Sequence, residues 1–528
     1  MGTDGRDTIA NELTIPRHMR RAAAEWRACV AIEDGETTLT YAALHKAARR
    51  VGSALMARGI EPGDRVAIWA PNIWEWVVAA LGSHYAGAVL VPINTRYKGA
   101  EAAYILKRSG ARLLFAVQGF LGTDYCGLLF TCDVALPDLQ TVILRGDIPA
   151  GAEPFQALLD TLATDAIDAR MDTVQGDHLS DILFTSGTTG DPRGAMTTHS
   201  QTIRAYRDWA NVVGLRQSDR YLVVAPFFHC FGYKAGWLAA FLEGATVLPQ
   251  SVFDAGAVLE RIGPDRVSVL PGPPALYQTL LARADLAQFD LGSLRLAVTG
   301  AAVIPVELIH RMRDTLGFDT VITGYGLTEA TGIATMCRHD DDPETIATTS
   351  GRAIPNVEVQ VVGDDGRPVP AGQPGEVVVR GYNVMKGYFG DEGATAATVD
   401  ADGWLHTGDV GVMDDRGYLR ITDRLKDMFI MGGFNCYPAE IERLMLRNES
   451  LAQVAVIGVH DDRMGEVGMA FVVPVQGATV TAESVRAWCR AEMANFKVPR
   501  LVEVVEALPM NAVGKVTKFV LRERARNP

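Results

Sequence analysis

The sequence predicts an α/β protein, with a large N-terminal domain of stacked parallel sheets, a small β-subdomain and a small C-terminal α/β domain. Three observations carry this expectation. A length of 528 residues exceeds what one compact core organises, so two or more domains are expected. Apolar strand-like runs alternate with amphipathic helical stretches, the rhythm of parallel sheets covered by helices. From residue 351 to 424 that rhythm gives way to short strands punctuated by turns such as Gly363-Asp364-Asp365-Gly366 and Asp414-Asp415-Arg416-Gly417.

The strand-like runs fall at residues 65–70, 88–92, 113–117, 222–225, 246–249, 267–270 and 296–299, with a short helix at 254–262 between the fifth and sixth. The longest uncharged stretch lies between Glu75 and Arg96. It has membrane length, but Gly82, Ser83, His84, Gly87 and Pro92 interrupt it. A buried helix, a glycine turn and a buried strand are therefore expected there, without stable membrane insertion. After Arg424, about one hundred residues read as an independent α/β unit. They hold a helix at 439–446, strands at 454–459 and 469–474, a helix at 482–493 and a basic tail. The boundary is set near Leu425, which gives domains 1–425 and 426–528.

Hydrophobic residues at 48% and charged residues at 21% suit an ordinary globular protein. A formal charge of −13 argues against nucleic-acid partners. Seven scattered cysteines without a CxxC pair suit reduced thiols, and residues 1–6 carry no apolar signal core. A cytoplasmic protein is expected. The sequence does not reveal the oligomeric state and leaves a homodimer open.

Chemistry enters with Leu183-Phe184-Thr185-Ser186-Gly187-Thr188-Thr189-Gly190-Asp191-Pro192-Arg193-Gly194. Hydroxyl residues and glycines directly after an apolar strand make a loop rich in N–H and O–H donors, able to wrap phosphate oxygens. No Gly-Lys-Ser/Thr follows, so it is not a Walker loop. A flexible turn is the competing reading. Further on, Gly300-Ala301-Ala302 would let a flat ring approach the main chain, although a packing turn needs the same residues. Tyr325-Gly326-Leu327-Thr328-Glu329 combines an aromatic ring, a hydroxyl and a carboxylate, against the alternative of a helix start. Asp409, in Trp404-Leu405-His406-Thr407-Gly408-Asp409, can accept two hydroxyl protons; structural salt bridges are the alternative for it and for Arg424. The glycines of Met431-Gly432-Gly433-Phe434-Asn435 leave room for a thin ligand arm, or form an ordinary hairpin turn.

In this order the strings resemble the signatures of the adenylate-forming superfamily, which includes acyl-CoA synthetases, firefly luciferases and peptide-synthetase adenylation domains. The resemblance implies an ATP- and Mg2+-dependent enzyme that converts a carboxylic acid to its adenylate and pyrophosphate, then transfers the acyl group to coenzyme A. It implies that Thr185, Ser186, Gly187, Thr188, Thr189 and Gly190 cradle phosphate, and that Gly300, Ala301, Ala302, Tyr325 and Gly326 receive adenine. Thr328 would bind the α-phosphate, and Thr185 and Glu329 the metal. Asp409 and Arg424 would hold the ribose. Arg193 stands where the family normally has lysine; it keeps the charge but changes reach and geometry. Lys426 matches the hinge of a mobile C-terminal domain, and Gly432 and Gly433 match the pantetheine tunnel. Lys515, in Pro509-Met510-Asn511-Ala512-Val513-Gly514-Lys515, would place its ammonium between carboxylate and phosphate. A basic tail carrying Lys518, Arg522, Arg524 and Arg526 could produce similar letters.

His229, in Pro226-Phe227-Phe228-His229-Cys230-Phe231-Gly232-Tyr233-Lys234, matches a family histidine that gates the acyl pocket; a packed core histidine is the alternative. Lys234 would snorkel to solvent or meet a polar group of substrate or CoA. Phe228, Phe231, Tyr233, Pro271, Pro273 and Tyr277 would wall the pocket. The strings at 227–236 and 270–278 resemble those of actinobacterial steroid-degradation synthetases, which implies a steroid-derived ring propanoate as substrate. The alternatives are a medium- or long-chain fatty acid, transfer to a carrier protein instead of CoA, or a catalytically silent nucleotide-binding protein. A peptide-synthetase adenylation domain fits less well, because no aspartate lies within 231–236 to hold an amine.

Overall fold

Apolar runs without polar alternation need cover on both faces, and the strands Arg65–Trp69 and Val89–Pro92 have it, buried throughout apart from Arg65. The structure is a computed structural model and describes residues 13–132, 134–185, 192–300, 304–424, 427–431, 434–461, 464–493, 495, 497–510 and 516–526.

These strands lie at the centre of an eight-stranded sheet. Its order is Gly387–Tyr388, Arg193–Thr198, Leu179–Thr185, Val89–Pro92, Arg65–Trp69, Ala111–Ala116, Gln140–Ile143 and Ala152–Pro154. From Leu179–Thr185 to Ala152–Pro154 every pairing is parallel, as expected. At the other edge Arg193–Thr198 folds back antiparallel on Leu179–Thr185, and Gly387–Tyr388 adds antiparallel to it. The uncharged stretch forms the helix Trp74–Tyr85, buried from Glu75 onward, then Gly87 at φ 80° and the strand Val89–Pro92. A Cβ on Gly82 would sit 2.6 Å from Val51 Cγ1, so this glycine lets the helix pack tightly on Tyr41–Ala57. Among the described residues no helix is long and apolar enough to cross a membrane.

A second layer joins Arg220–Val223, Thr246–Pro249, Val30–Asp34 and Thr37–Thr40 to the set Leu296–Gly300, Thr320–Tyr325, Thr335–Met336 and Arg352–Ala353. The run at 267–270, expected as a strand, is instead one bridging residue. Val269 pairs in parallel with both Tyr221 and Leu296. Arg266 at φ 51° bends the chain just before it, the Val267 N–H bonds Ile262 O, and Pro271 offers no donor after it. The helix expected at 254–262 is Ala255–Ile262, capped by the Asp254 carboxylate accepting from the Ala257 N–H at 2.9 Å.

The β-subdomain is an antiparallel sheet in the order Val357–Val362, Pro374–Gly381, Leu405–Met413 and Leu419–Arg424. The C-terminal domain is built on the long strands Leu451–Asp461 and Gly465–Pro474. Alternation splits its apolar residues between two cores. Val454 and Val456 face the cluster containing Ile441 and Cys489, whereas Ala455 and Ile457 face Leu508 and Leu521.

Candidate active site

The β-hairpin of the large sheet is the first wall. Ile182 and Leu183 are buried in its strand, and Thr185 ends the strand directly opposite Arg193. Ser186, Gly187, Thr188, Thr189 and Gly190 lie outside the described residues. At the hairpin's last described position the Thr185 hydroxyl lies 3.4 Å from Glu329 Oε1.

Glu329 arrives from the neighbouring layer. The strand Thr320–Tyr325 ends, and the short turn Thr328–Ala330 is followed by Thr331 at φ 57° and Gly332 at φ 93°. A left-handed β-branched residue stores roughly 1–3 kcal/mol of strain and persists only where its surroundings hold it. Here Tyr206 donates to Thr331 O at 2.9 Å, the Thr331 hydroxyl donates to Asn383 O at 2.6 Å, and Asn383 Nδ2 donates to Ile333 O at 2.8 Å. Gly326 is required by close approach, since a Cβ there would lie 2.2 Å from Gly332 O. Thr328 and Glu329 thus sit on a tightly pinned reversal. Tyr388, which sequence reasoning did not single out, donates to Glu329 Oε1 at 2.9 Å. Arg193 extends its guanidinium over the Tyr388 ring, 5.7 Å from the centroid, with Nε 3.9 Å from Asp391.

A second cluster adjoins the first. Tyr325 donates its hydroxyl to Asp409 Oδ2 at 2.6 Å, and Asp409 is buried. Asp409 and Arg424 are partners in antiparallel register. Gly300 pairs with Gly324, which places the end of the Leu296–Gly300 strand beside the main chain leading into Tyr325. Ala301, Ala302, Lys426, Gly432, Gly433 and Lys515 lie outside the described residues. Together, Thr185 and Glu329 offer a hydroxyl and a carboxylate, the hard oxygen donors that would suit magnesium. Among the described residues no group of three or more His, Cys, Asp or Glu is arranged to hold a metal by itself.

The acyl segment differs from expectation in two places, and at His229 it excludes the packed-core alternative. His229 is exposed rather than packed in the core; its Nδ1 accepts from the Phe231 N–H at 3.2 Å at the start of the turn Cys230–Gly232. Asn72, a residue without any sequence signal, fixes the approach to it by donating to Val223 O and Ala225 O and accepting from the Phe227 N–H at 2.7 Å. Tyr233 and Tyr277 belong to the core: both are fully buried, Tyr233 stacks on Trp237 at 5.0 Å, and the Tyr277 hydroxyl donates to Leu270 O at 2.7 Å. Phe228 and Phe231 are only half-buried and stay near His229, while Pro273 is exposed. Burial pushes the Cys230 thiol up to about 11, so it remains protonated and packs beside the Thr328 hydroxyl.

The second difference is Lys234, which is fully closed off from solvent. It sits fully buried in a π-turn, Tyr233–Leu238, with Nζ 2.9 Å from Asp181 Oδ1 and 2.7 Å from the Thr197 hydroxyl. Ser180 and Thr197 also donate to the Asp181 carboxylate, at 2.7 and 2.6 Å. Removing one member of such a pair strands a buried charge. Lys234→Met alone should therefore cost about 3–5 kcal/mol in urea unfolding, and adding Asp181→Leu should restore most of that loss. A single variant as stable as the parent would contradict the buried pairing.

Residues 18–389 match the AMP-binding enzyme family, and residues 440–515 match the AMP-binding enzyme C-terminal domain. The chain is 48% identical over 522 residues to the 3-[(3aS,4S,7aS)-7a-methyl-1,5-dioxo-octahydro-1H-inden-4-yl]propanoyl:CoA ligase of Rhodococcus jostii (strain RHA1), covering 97% of this chain and 99% of that one. It is 49% identical over 518 residues to the ligase of the same name from Mycobacterium tuberculosis (strain ATCC 25618 / H37Rv), covering 98% and 100%. The crystal structure of the anthranilate CoA ligase AuaEII in complex with anthranoyl-AMP superposes with a TM-score of 0.88 at 28% identity, covering 97% of both chains.

Proposed function

The chain belongs to the AMP-binding enzyme family, and on that premise we propose that it activates a steroid-derived ring propanoate. It is an AMP-forming acyl-CoA synthetase that uses ATP, Mg2+ and coenzyme A and acts on a small-molecule carboxylic acid. In the first half-reaction a carboxylate oxygen attacks the α-phosphorus of ATP, and the bond to pyrophosphate breaks. In the second, the CoA sulfur attacks the acyl carbon and AMP leaves.

We assign the steps as follows. The ring of Tyr325 stacks on adenine beside the 300–302 ledge, and Asp409 accepts the ribose hydroxyl protons with Arg424 as the second contact. The Tyr325 hydroxyl holds the Asp409 carboxylate in one orientation. Residues 185–190 surround the outgoing phosphates with amides and hydroxyls, and Arg193 adds charge at the loop's exit. Thr185 and Glu329 would hold magnesium, which when bound would neutralise charge on the phosphates. Thr328 orients the α-phosphate, and Lys515 bridges it to the incoming carboxylate. His229, exposed next to Phe228 and Phe231, lies at the mouth of the acyl site. The C-terminal body, residues 426–528, turns about Lys426 between the half-reactions, and Gly432 and Gly433 admit the pantetheine arm. The enzyme works in the cytoplasm; sedimentation of the purified protein decides whether it is a homodimer.

The observation that carries the substrate is the near-complete colinearity with two ligases named for one ring acid. Phe228 and Phe231 support it, because rigid rings bury apolar area with few rotors to immobilise. The test compares kcat/KM for the methylhexahydroindanedione propanoate, octanoate, palmitate, benzoate and coumarate. The ring acid should lead by at least about tenfold, the scale set by one or two methylenes in an apolar pocket. Octanoate or palmitate equalling it would reject the ring substrate and leave a fatty acyl-CoA synthetase.

A further inference from the structure

We propose that Tyr388 is a positioning residue that orients the Glu329 carboxylate for magnesium. The proposal rests on the assignment of Glu329 as a metal ligand and adds a residue that the sequence motifs do not name. Its observation is the hydroxyl contact to Glu329 Oε1 at 2.9 Å. The Thr185 hydroxyl reaches the same oxygen only at 3.4 Å. Among the described residues both donors fall on Oε1, which leaves Oε2 for a cation. A neutral phenol suits this role because it fixes the carboxylate plane without adding a positive charge that would compete with the metal.

The phenol is itself held on several sides. Tyr388 is buried in the two-residue strand Gly387–Tyr388, in register with Ala195 of the hairpin. Its N–H donates to the Thr395 hydroxyl at 2.9 Å, and the next N–H, of Phe389, donates to Gly194 O at 2.8 Å. Arg193 covers the ring with its guanidinium, a planar contact that a lysine ammonium makes only as a point charge. A chain of contacts therefore runs from the exit of the phosphate loop through Tyr388 to Glu329. It gives Arg193, the departure from the usual lysine, a second role besides charge.

The test uses the full-length protein and the Mg2+ dependence of binding α,β-methylene-ATP by calorimetry, at a temperature where circular dichroism shows every variant folded. Tyr388→Phe keeps the ring and deletes the hydroxyl. It should raise the Mg2+ concentration for half-maximal binding about tenfold, as loss of a partner behind a metal ligand does. Glu329→Gln should raise it at least as much. The double variant should be no worse than Glu329→Gln alone, because Tyr388 acts through that carboxylate. A raised requirement in Glu329→Gln but not in Tyr388→Phe overturns the role of Tyr388 and leaves the metal assignment standing. Wild-type behaviour in Glu329→Gln overturns the metal assignment itself. Additive effects in the double variant show that Tyr388 acts elsewhere and overturn the proposal.

Discussion

Lys515→Ala should slow acyl-adenylate formation by about 10²–10³-fold, the usual cost of removing one preorganised electrostatic contact at a site of developing charge. Thioester formation from supplied acyl-adenylate should stay close to the parent rate. The asymmetry follows from the chemistry. In the first half-reaction two anions, carboxylate and phosphate, must approach each other, and an ammonium between them offsets the repulsion. In the second, a thiol attacks an already activated carbonyl and needs no such cation. The flanking chain is well anchored: Met510 and Val516 pair antiparallel, and the Thr517 N–H donates to Pro509 O at 2.8 Å. Single-turnover measurements of each half-reaction decide the matter. Equal losses in both would indicate a folding defect or another role for the lysine.

Lys426→Pro should give the reverse pattern, with pyrophosphate exchange retained and CoA transfer reduced by about a hundredfold, the scale on which ångström misplacement of reacting groups operates. Two anchors bracket this residue. Arg424 is in register with Asp409 in the sheet of the β-subdomain. Asp427 accepts from Arg522 at 2.6 Å, which ties it to the C-terminal helix Lys518–Arg526. A rotation between these attachments has to be absorbed in the few bonds separating them. Proline fixes one of those bonds near φ of about −65° and restricts the residue before it. Unimpaired CoA transfer in this variant would remove Lys426 as the hinge.

Much of the fold could be read from the sequence because its signals are local. Unbroken apolar runs at 65–70 and 88–92 demand two-sided cover, and the interrupted stretch after Glu75 is too broken for a membrane. The run at 267–270 misled because its apolar letters satisfy a strand, while Arg266 and Pro271 beside it restrict the backbone. In the candidate site, motifs singled out Thr185, Tyr325, Thr328, Glu329 and Asp409, since each belongs to a contiguous string, and the fold brings Thr185 to Glu329 and Tyr325 to Asp409. Tyr388 and Asn72 were invisible: their partners lie 59 and 155 residues away, and no spacing rule encodes such contacts. Lys234 was misread for the same reason. Its neighbours in sequence are apolar, and only the fold brings Asp181 and Thr197 to it.

The Lys234 pair also constrains how this scaffold could be re-engineered. Substrate preference is commonly altered by grafting a pocket segment from one homologue into another, and residues 227–236 would be the obvious cassette. Here the cassette carries a buried cation whose counter-charge lies on a different element, at Asp181. Grafted alone into a recipient with an apolar residue at that place, it would bring an uncompensated ammonium into the core and reduce the yield of folded chimera. Transplanted together with the Leu179–Thr185 strand and Thr197, it would arrive with its charge and its hydroxyl partner. The smallest exchangeable unit is therefore discontinuous in sequence, and it joins the proposed acyl wall to the strand that leads into the proposed phosphate loop.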